Sequence, residues 1–209
     1  MYRPRLIPST GNTIFLALGA SGQPNGQPLK WLKSLVSISV FFLGCFTFSN
    51  TRFIKPKARG TLAASFVIQA LCIIVAAILT QTHVVPEPVG TYVDDKVNLL
   101  ELLPLGFLAF QSGGQIVTSR ILGFNEVPTT VLTSVYCDIA SDPKLIKADN
   151  VKRNRRVAAV LCILIGGICG GWISRSSAGL ATVLWIAAGI KLSIALGWSL
   201  WKPKQAIQL

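Results

Sequence analysis

The sequence predicts an all-α fold, a polytopic membrane bundle of five spanning helices, and three observations carry that expectation. Five apolar stretches, 34–51, 62–82, 102–119, 157–174 and 176–201, approach or reach the length of a bilayer crossing and are bracketed by basic residues. The composition is 51% hydrophobic and 13% charged with a mean hydropathy of +0.57, which fits a helical membrane bundle better than a water-soluble core. The runs do not alternate polar and apolar positions, which sets aside an outer-membrane barrel. Because a span takes about 20 residues, one integral membrane domain fills 1–209.

Residues 1–33 read as a residual segment and linker. Arg3 and Arg5 stand beside two prolines with no apolar core behind them, so no cleavable signal peptide is expected. Thr10, Gly11, Asn12 and Thr13 then open a short apolar piece, 14–18, that cannot span. Two spans follow at 34–82. The third, 102–119, is interrupted at its middle by Gln111, Ser112, Gly113, Gly114 and Gln115, and Pro104 predicts a kink near its start. Polar groups at that depth must face protein or a wet cavity, so this stretch is either helix-to-helix glue or the lining of a solute path.

The connection 120–156 carries a predicted half-helix over 128–141. At about 100° per residue, Thr130, Thr133, Ser134, Cys137 and Ser141 share one face, opposite Val131, Leu132, Val135, Tyr136 and Ile139. At 1.5 Å per residue this helix covers only about 20 Å, too little to cross, and belongs at the interface or dipped into the bundle. Asp138 and Asp142 border the hydroxyl face and suit a proton or cation step if drawn inward, or else are solvated loop carboxylates.

The last two spans occupy 157–201. Gly166, Gly167, Gly170 and Gly171 form overlapping G-x-x-x-G patterns, a helix-packing motif that brings a partner helix close. Lys191 interrupts the fifth run; it can snorkel outward or pair with Glu101 or Asp138.

Charge orients the bundle. Alternating connections collect 13 cations on one face, including Lys55, Lys57, Lys152, Arg153, Arg155, Arg156 and Lys202, against 6 on the other, including Lys30, Lys33 and Arg175. The positive-inside rule then makes the carboxyl terminus cytoplasmic. Trp31, Trp172, Trp198 and Trp201 sit at run ends as interfacial anchors, with Trp185 inside a helix for packing.

Several function classes recede. The net charge of +12 lies in the connections, as orientation signals do, so no nucleic-acid partner is expected. The 5 cysteines form no C-x-x-C pair and His83 is the only histidine, so no metal and no cofactor are expected. Nothing pairs a nucleophile with a base, and H-E-x-x-H and G-x-S-x-G are absent, so no catalytic residues and no enzyme are expected.

A matched spacing hints at internal duplication. Thr10 precedes the run at Ser34 by 24 residues, and Thr133 precedes the run at Val157 by the same 24. Each half then reads as a polar half-helix followed by two spans, and units of three spans imply an inverted 3+3 repeat, an arrangement common in secondary transporters. The two half-helices are expected to meet near the membrane interior.

Thr10-Gly11-Asn12 with its apolar 14–18 sequel, Phe110-Gln111-Ser112-Gly113, and 125–143 with its VPTTVLTSVYCD core together resemble the YoaK family of multi-pass membrane proteins (domain of unknown function 1275), especially its fungal-type members. The resemblance covers nearly the whole chain. It implies a six-helix bundle with the Thr-Gly-Asn segment directly after the first span, so this chain, with 1–9 in that place, is expected to lack that helix. It implies no substrate or reaction.

The expected role is transporter- or channel-like movement of a small solute past Thr10, Gly11, Asn12, Gln111, Gln115, Thr130, Thr133 and Asp138. The alternative is a non-transporting membrane scaffold or assembly protein. The expected partners are the lipid bilayer and a small solute, with homo-oligomers left open.

Overall fold

The computed structural model describes residues 9–21, 30–82, 99–127, 132–145 and 149–201, and among these every regular element is helical. The helices are α1 (Ser9–Ala20), α2 (Lys30–Ser49), α3 (Arg59–Gln81), α4 (Leu102–Ile121), α5 (Thr133–Ala140), α6 (Val151–Arg175) and α7 (Gly179–Leu200). Each long helix grows from one predicted apolar run; α2, α3, α4 and α6 also take in flanking residues, whereas α7 lies within its run.

Four stretches are long and apolar enough to cross a membrane: Trp31–Phe53, Arg59–Gln81, Val151–Arg175 and Gly179–Leu200. The third predicted span, α4, is as long as α2 at 20 residues but carries two glutamines, Ser112 and Thr118, which dilute its hydropathy. It can carry them because it is an interior helix, packed against both α2 and α3. Pro104 is the third residue of α4, in the first turn, where a missing N–H removes no hydrogen bond.

The packing order is α1, α2, α4, α3, α7, α6, α5. Chain direction follows from the ties between helices. Lys33 pairs with Glu101 at the starting ends of α2 and α4, and Gly113 lies against Phe41 and Cys45 further along, so these two helices run parallel. Ser65 meets Thr118 while Gln69 lies nearer the start of α4, so α3 runs antiparallel to α4. Trp185, in the second turn of α7, donates its indole N–H to Gln81 at the end of α3 (2.9 Å), so α7 is antiparallel to α3. α2, α3 and α4 thus alternate in direction along the chain.

The outer surface is apolar. Phe42 is 72% exposed, Ile165 60% and Trp172 75%, with Leu161, Leu164, Ile168, Leu196 and Leu200 also bare. In water so large an apolar surface drives association, whereas hydrocarbon accepts it while the helices satisfy their own backbone groups. The chain is an integral membrane protein of the helical class. Gly123 (φ 86°) and Gly179 (φ 69°) take left-handed conformations, after α4 and at the first residue of α7.

The two half-helices do not come together as the sequence leads one to expect. α1 packs on α2 and α5 on α6, at opposite ends of the packing order. α5 is also shorter than predicted at 8 residues, and 128–131, including Pro128 and Thr130, lie outside the described residues.

Candidate functional site

The only charged residue far from a helix end in the five long helices is Lys191, the thirteenth of the 22 residues of α7. It neither snorkels nor reaches Glu101 or Asp138. Glu101 is taken by Lys33, and Asp138 by Arg156 at 3.2 Å. The Lys191 ammonium instead turns inward and donates to the Oε1 atoms of Gln69 on α3 and Gln115 on α4, the latter at 2.9 Å. The Phe66 ring covers it, with the centroid 5.6 Å from Nζ.

Behind Gln69 the polar chain continues. Its Nε2 donates to Ser65 Oγ at 3.2 Å, Ser65 lies 3.0 Å from Thr118 Oγ1, and Thr118 donates to the Gly114 carbonyl at 2.8 Å. Gln69 is 0% exposed, a fully enclosed carboxamide within a run of aliphatic residues. It is the eleventh residue of α3, about 15 Å from the helix start at 1.5 Å per residue, which is mid-depth in a hydrocarbon layer of about 30 Å.

Magnitudes show why two amides suffice. A lysine at the centre of a membrane helix costs about 3 kcal/mol on insertion scales. A hydrogen bond to a charged group contributes about 1.5–3 kcal/mol, so two of them offset the insertion cost without a counter-ion.

Gln111 lies one helical turn from Gln115 on the same edge of α4, and its Oε1 is buried with no hydrogen-bond partner while Nε2 donates to Ser112 Oγ at 3.3 Å. Such an orphan acceptor calls for a water or a ligand donor.

Of the other residues expected to line a path, none of those described joins this cluster. Asn12 donates to Ser37 Oγ at 3.0 Å, tying α1 to α2, and Gly11 lies beside it on α1. The Thr10 side chain and all of Thr130 lie outside the described residues. Thr133 and Asp138 are exposed, because α5 turns Val135 inward and its hydroxyl edge outward.

The connection flanking α5 is instead held by polar and ionic bonds near the start of α6. Asn150 caps α6 by accepting the Arg153 N–H at 3.1 Å. Asp142 accepts the Lys144 N–H at 2.8 Å and the Asn150 amide at 2.9 Å, and these two bonds, the backbone one foremost, hold its carboxyl below the usual range. Glu126 is lowered first by its own backbone N–H and then by Arg155, whose guanidinium is 2.9 Å away and lies over the Phe124 ring.

The glycines divide in two. A Cβ on Gly113 would stand 2.6 Å from the Phe41 carbonyl, and one on Gly44 2.3 Å from the Phe110 carbonyl, so α2 and α4 touch backbone to backbone. Gly114 makes room for the Phe48 ring. On α6, Gly170 faces Val183 at 3.4 Å, whereas Gly166, Gly167 and Gly171 have no described atom near a Cβ position.

Sequence reasoning missed Gln69, Ser65, Phe66 and Thr118 as members of the cluster. A signal existed for Gln69, the single carboxamide in the interior of the 62–82 run. Among the described residues, no three His, Cys, Asp or Glu side chains gather in a metal-binding group.

A family model described as "Protein of unknown function (DUF1275)" matches residues 9–197. Comparison with curated proteins and with solved structures gave no match.

Proposed function

We propose that this chain, which belongs to the DUF1275 family of proteins of unknown function, moves a small solute across the membrane along the α3–α4–α7 seam. The observation that carries this reading is the mid-depth ammonium of Lys191, held by two neutral amides. Ionisable groups inside a membrane bundle are expensive, and they mark substrate and ion pathways far more often than packing. The orphan Gln111 acceptor one turn away supports a wet path on the same edge of α4.

Movement here needs binding and release rather than catalysis, and no bond-breaking role is proposed. The carboxyl terminus and the basic connection 120–156 face the cytoplasm in this reading, because the positive-inside excess lies there. Impermeant labelling of a carboxyl-terminal tag in intact cells checks this: protection is expected, and strong labelling reverses the orientation.

A non-transporting scaffold is the second reading, favoured by the backbone contact at Gly44 and Gly113, which serves packing alone. The two part on water access. With Gln111→Cys and Gln115→Cys, a small aqueous thiol reagent is expected to label both positions in folded protein. Complete protection at both, with the protein shown to be folded, removes the path and leaves the scaffold.

A further inference from the structure

Among the described residues, no carboxylate pairs with Lys191. The sequences of α1, α2, α3, α4, α6 and α7 contain no aspartate or glutamate, and the one acidic residue of α5, Asp138, is paired with Arg156 at the membrane edge. The ammonium is solvated by carboxamide oxygens but not neutralised by them. In a low-dielectric interior, an unneutralised cation attracts a mobile anion far more strongly than it would in water.

We infer that the solute is a small monovalent anion bound at Lys191, an inference that rests on the transport reading. Its chemistry is one negative charge with lone pairs directed at N–H donors, as a halide or a short carboxylate offers. A single charge matches the single ammonium.

The partners of Lys191 show how such a site can load and empty. Gln69 is fully enclosed and fixed by Ser65, so it remains on Nζ. Gln115 is half-buried, and among the described residues its carboxamide is held by Lys191 alone, so it is the ligand that yields. A carboxamide carries an acceptor and a donor on one carbon. Rotation of its terminal group withdraws Oε1 from Nζ and presents Nε2–H to the arriving anion. Release restores the amide to the ammonium, so the charge is never left bare in either state.

The test uses the purified full-length chain in liposomes with the membrane potential clamped, and compares uptake of chloride, acetate, sodium and glycerol. Wild type is expected to pass chloride or acetate, the better of the two telling halide from carboxylate. Lys191→Gln, which keeps length and polarity while removing the charge, is expected to reduce that flux roughly tenfold or more, with Lys191→Arg retaining part of it. Thermal unfolding of each variant with and without the same anions provides a readout independent of flux.

Uptake of sodium or glycerol alone overturns the anion inference and leaves transport standing. Anion-dependent stabilisation of wild type but not of Lys191→Gln, without flux of any probe, upholds the anion site and removes transport. Neither flux nor stabilisation overturns both. Anion flux unchanged in a folded Lys191→Gln protein overturns Lys191 as the site.

Discussion

Glycine pairs occur in α4 and in α6, and their surroundings could hardly differ more. At Gly113 the α2 backbone lies where a side chain would begin, so glycine is there because two helices touch. At Gly166, Gly167 and Gly171 no described atom comes near, and α6 faces outward along most of its length. The same residue pattern thus marks a filled seam in one helix and an open face in the other. What separates them is the company they keep. The α4 glycines sit between Gln111 and Gln115 on a helix whose polar side chains must be enclosed, whereas the α6 glycines sit among Ile163, Leu164, Ile165 and Ile168, which lipid covers as readily as protein does.

The largest expected effect is at the filled seam. Gly113→Leu forces α2 and α4 apart and is expected to cost about 3 kcal/mol or more, seen as a large drop in the thermal unfolding temperature in detergent. A variant as stable as wild type would mean that the seam is not closed. The second effect is at the polar cluster. Gln69→Leu removes one of the two acceptors of Lys191 and should cost about 1–3 kcal/mol. Adding Lys191→Met to it should cost less than the sum of the two single changes, since the buried charge leaves with its ligand, and additive losses would show that the pair is uncoupled.

Gly167→Leu sharpens the comparison from the other side. In monodisperse protein it is expected to stay within about 0.5 kcal/mol of wild type. A loss equal to that of Gly113→Leu would place another helix on the open face of α6 and end the contrast.

The smallest effect concerns the connection beside α5. Because Asp142 is lowered in the folded protein, its contribution is present at neutral pH and is lost as the pH falls through that lowered value, below the ordinary aspartate value of about 4. Asp142→Asn should lower neutral-pH stability slightly, to the level that the protonated carboxyl gives, and flatten the acid limb of a pH titration of stability, and an unaltered limb would assign acid sensitivity elsewhere.

The sequence by itself determined the helical class, the membrane setting and the approximate reach of every long helix. These follow from local properties, namely the length of uncharged runs and the placement of Lys and Arg at their ends, which need no neighbour to be read. It also exposed Gln111 and Gln115, because a carboxamide at mid-depth is anomalous wherever it points. The tertiary structure alone decided which polar groups meet. Lys191 is 122 residues from Gln69 and 76 from Gln115, and only the packing of α4 and α7 on α3 brings the three together. Helix rotation is set by side-chain packing rather than by period, so the hydroxyl edge of α5, conspicuous on a helical wheel, turned outward while Val135 turned in. Where a charge finds its partner is a property of the assembled interior, since the cost that drives the pairing exists only after the helices have closed around it.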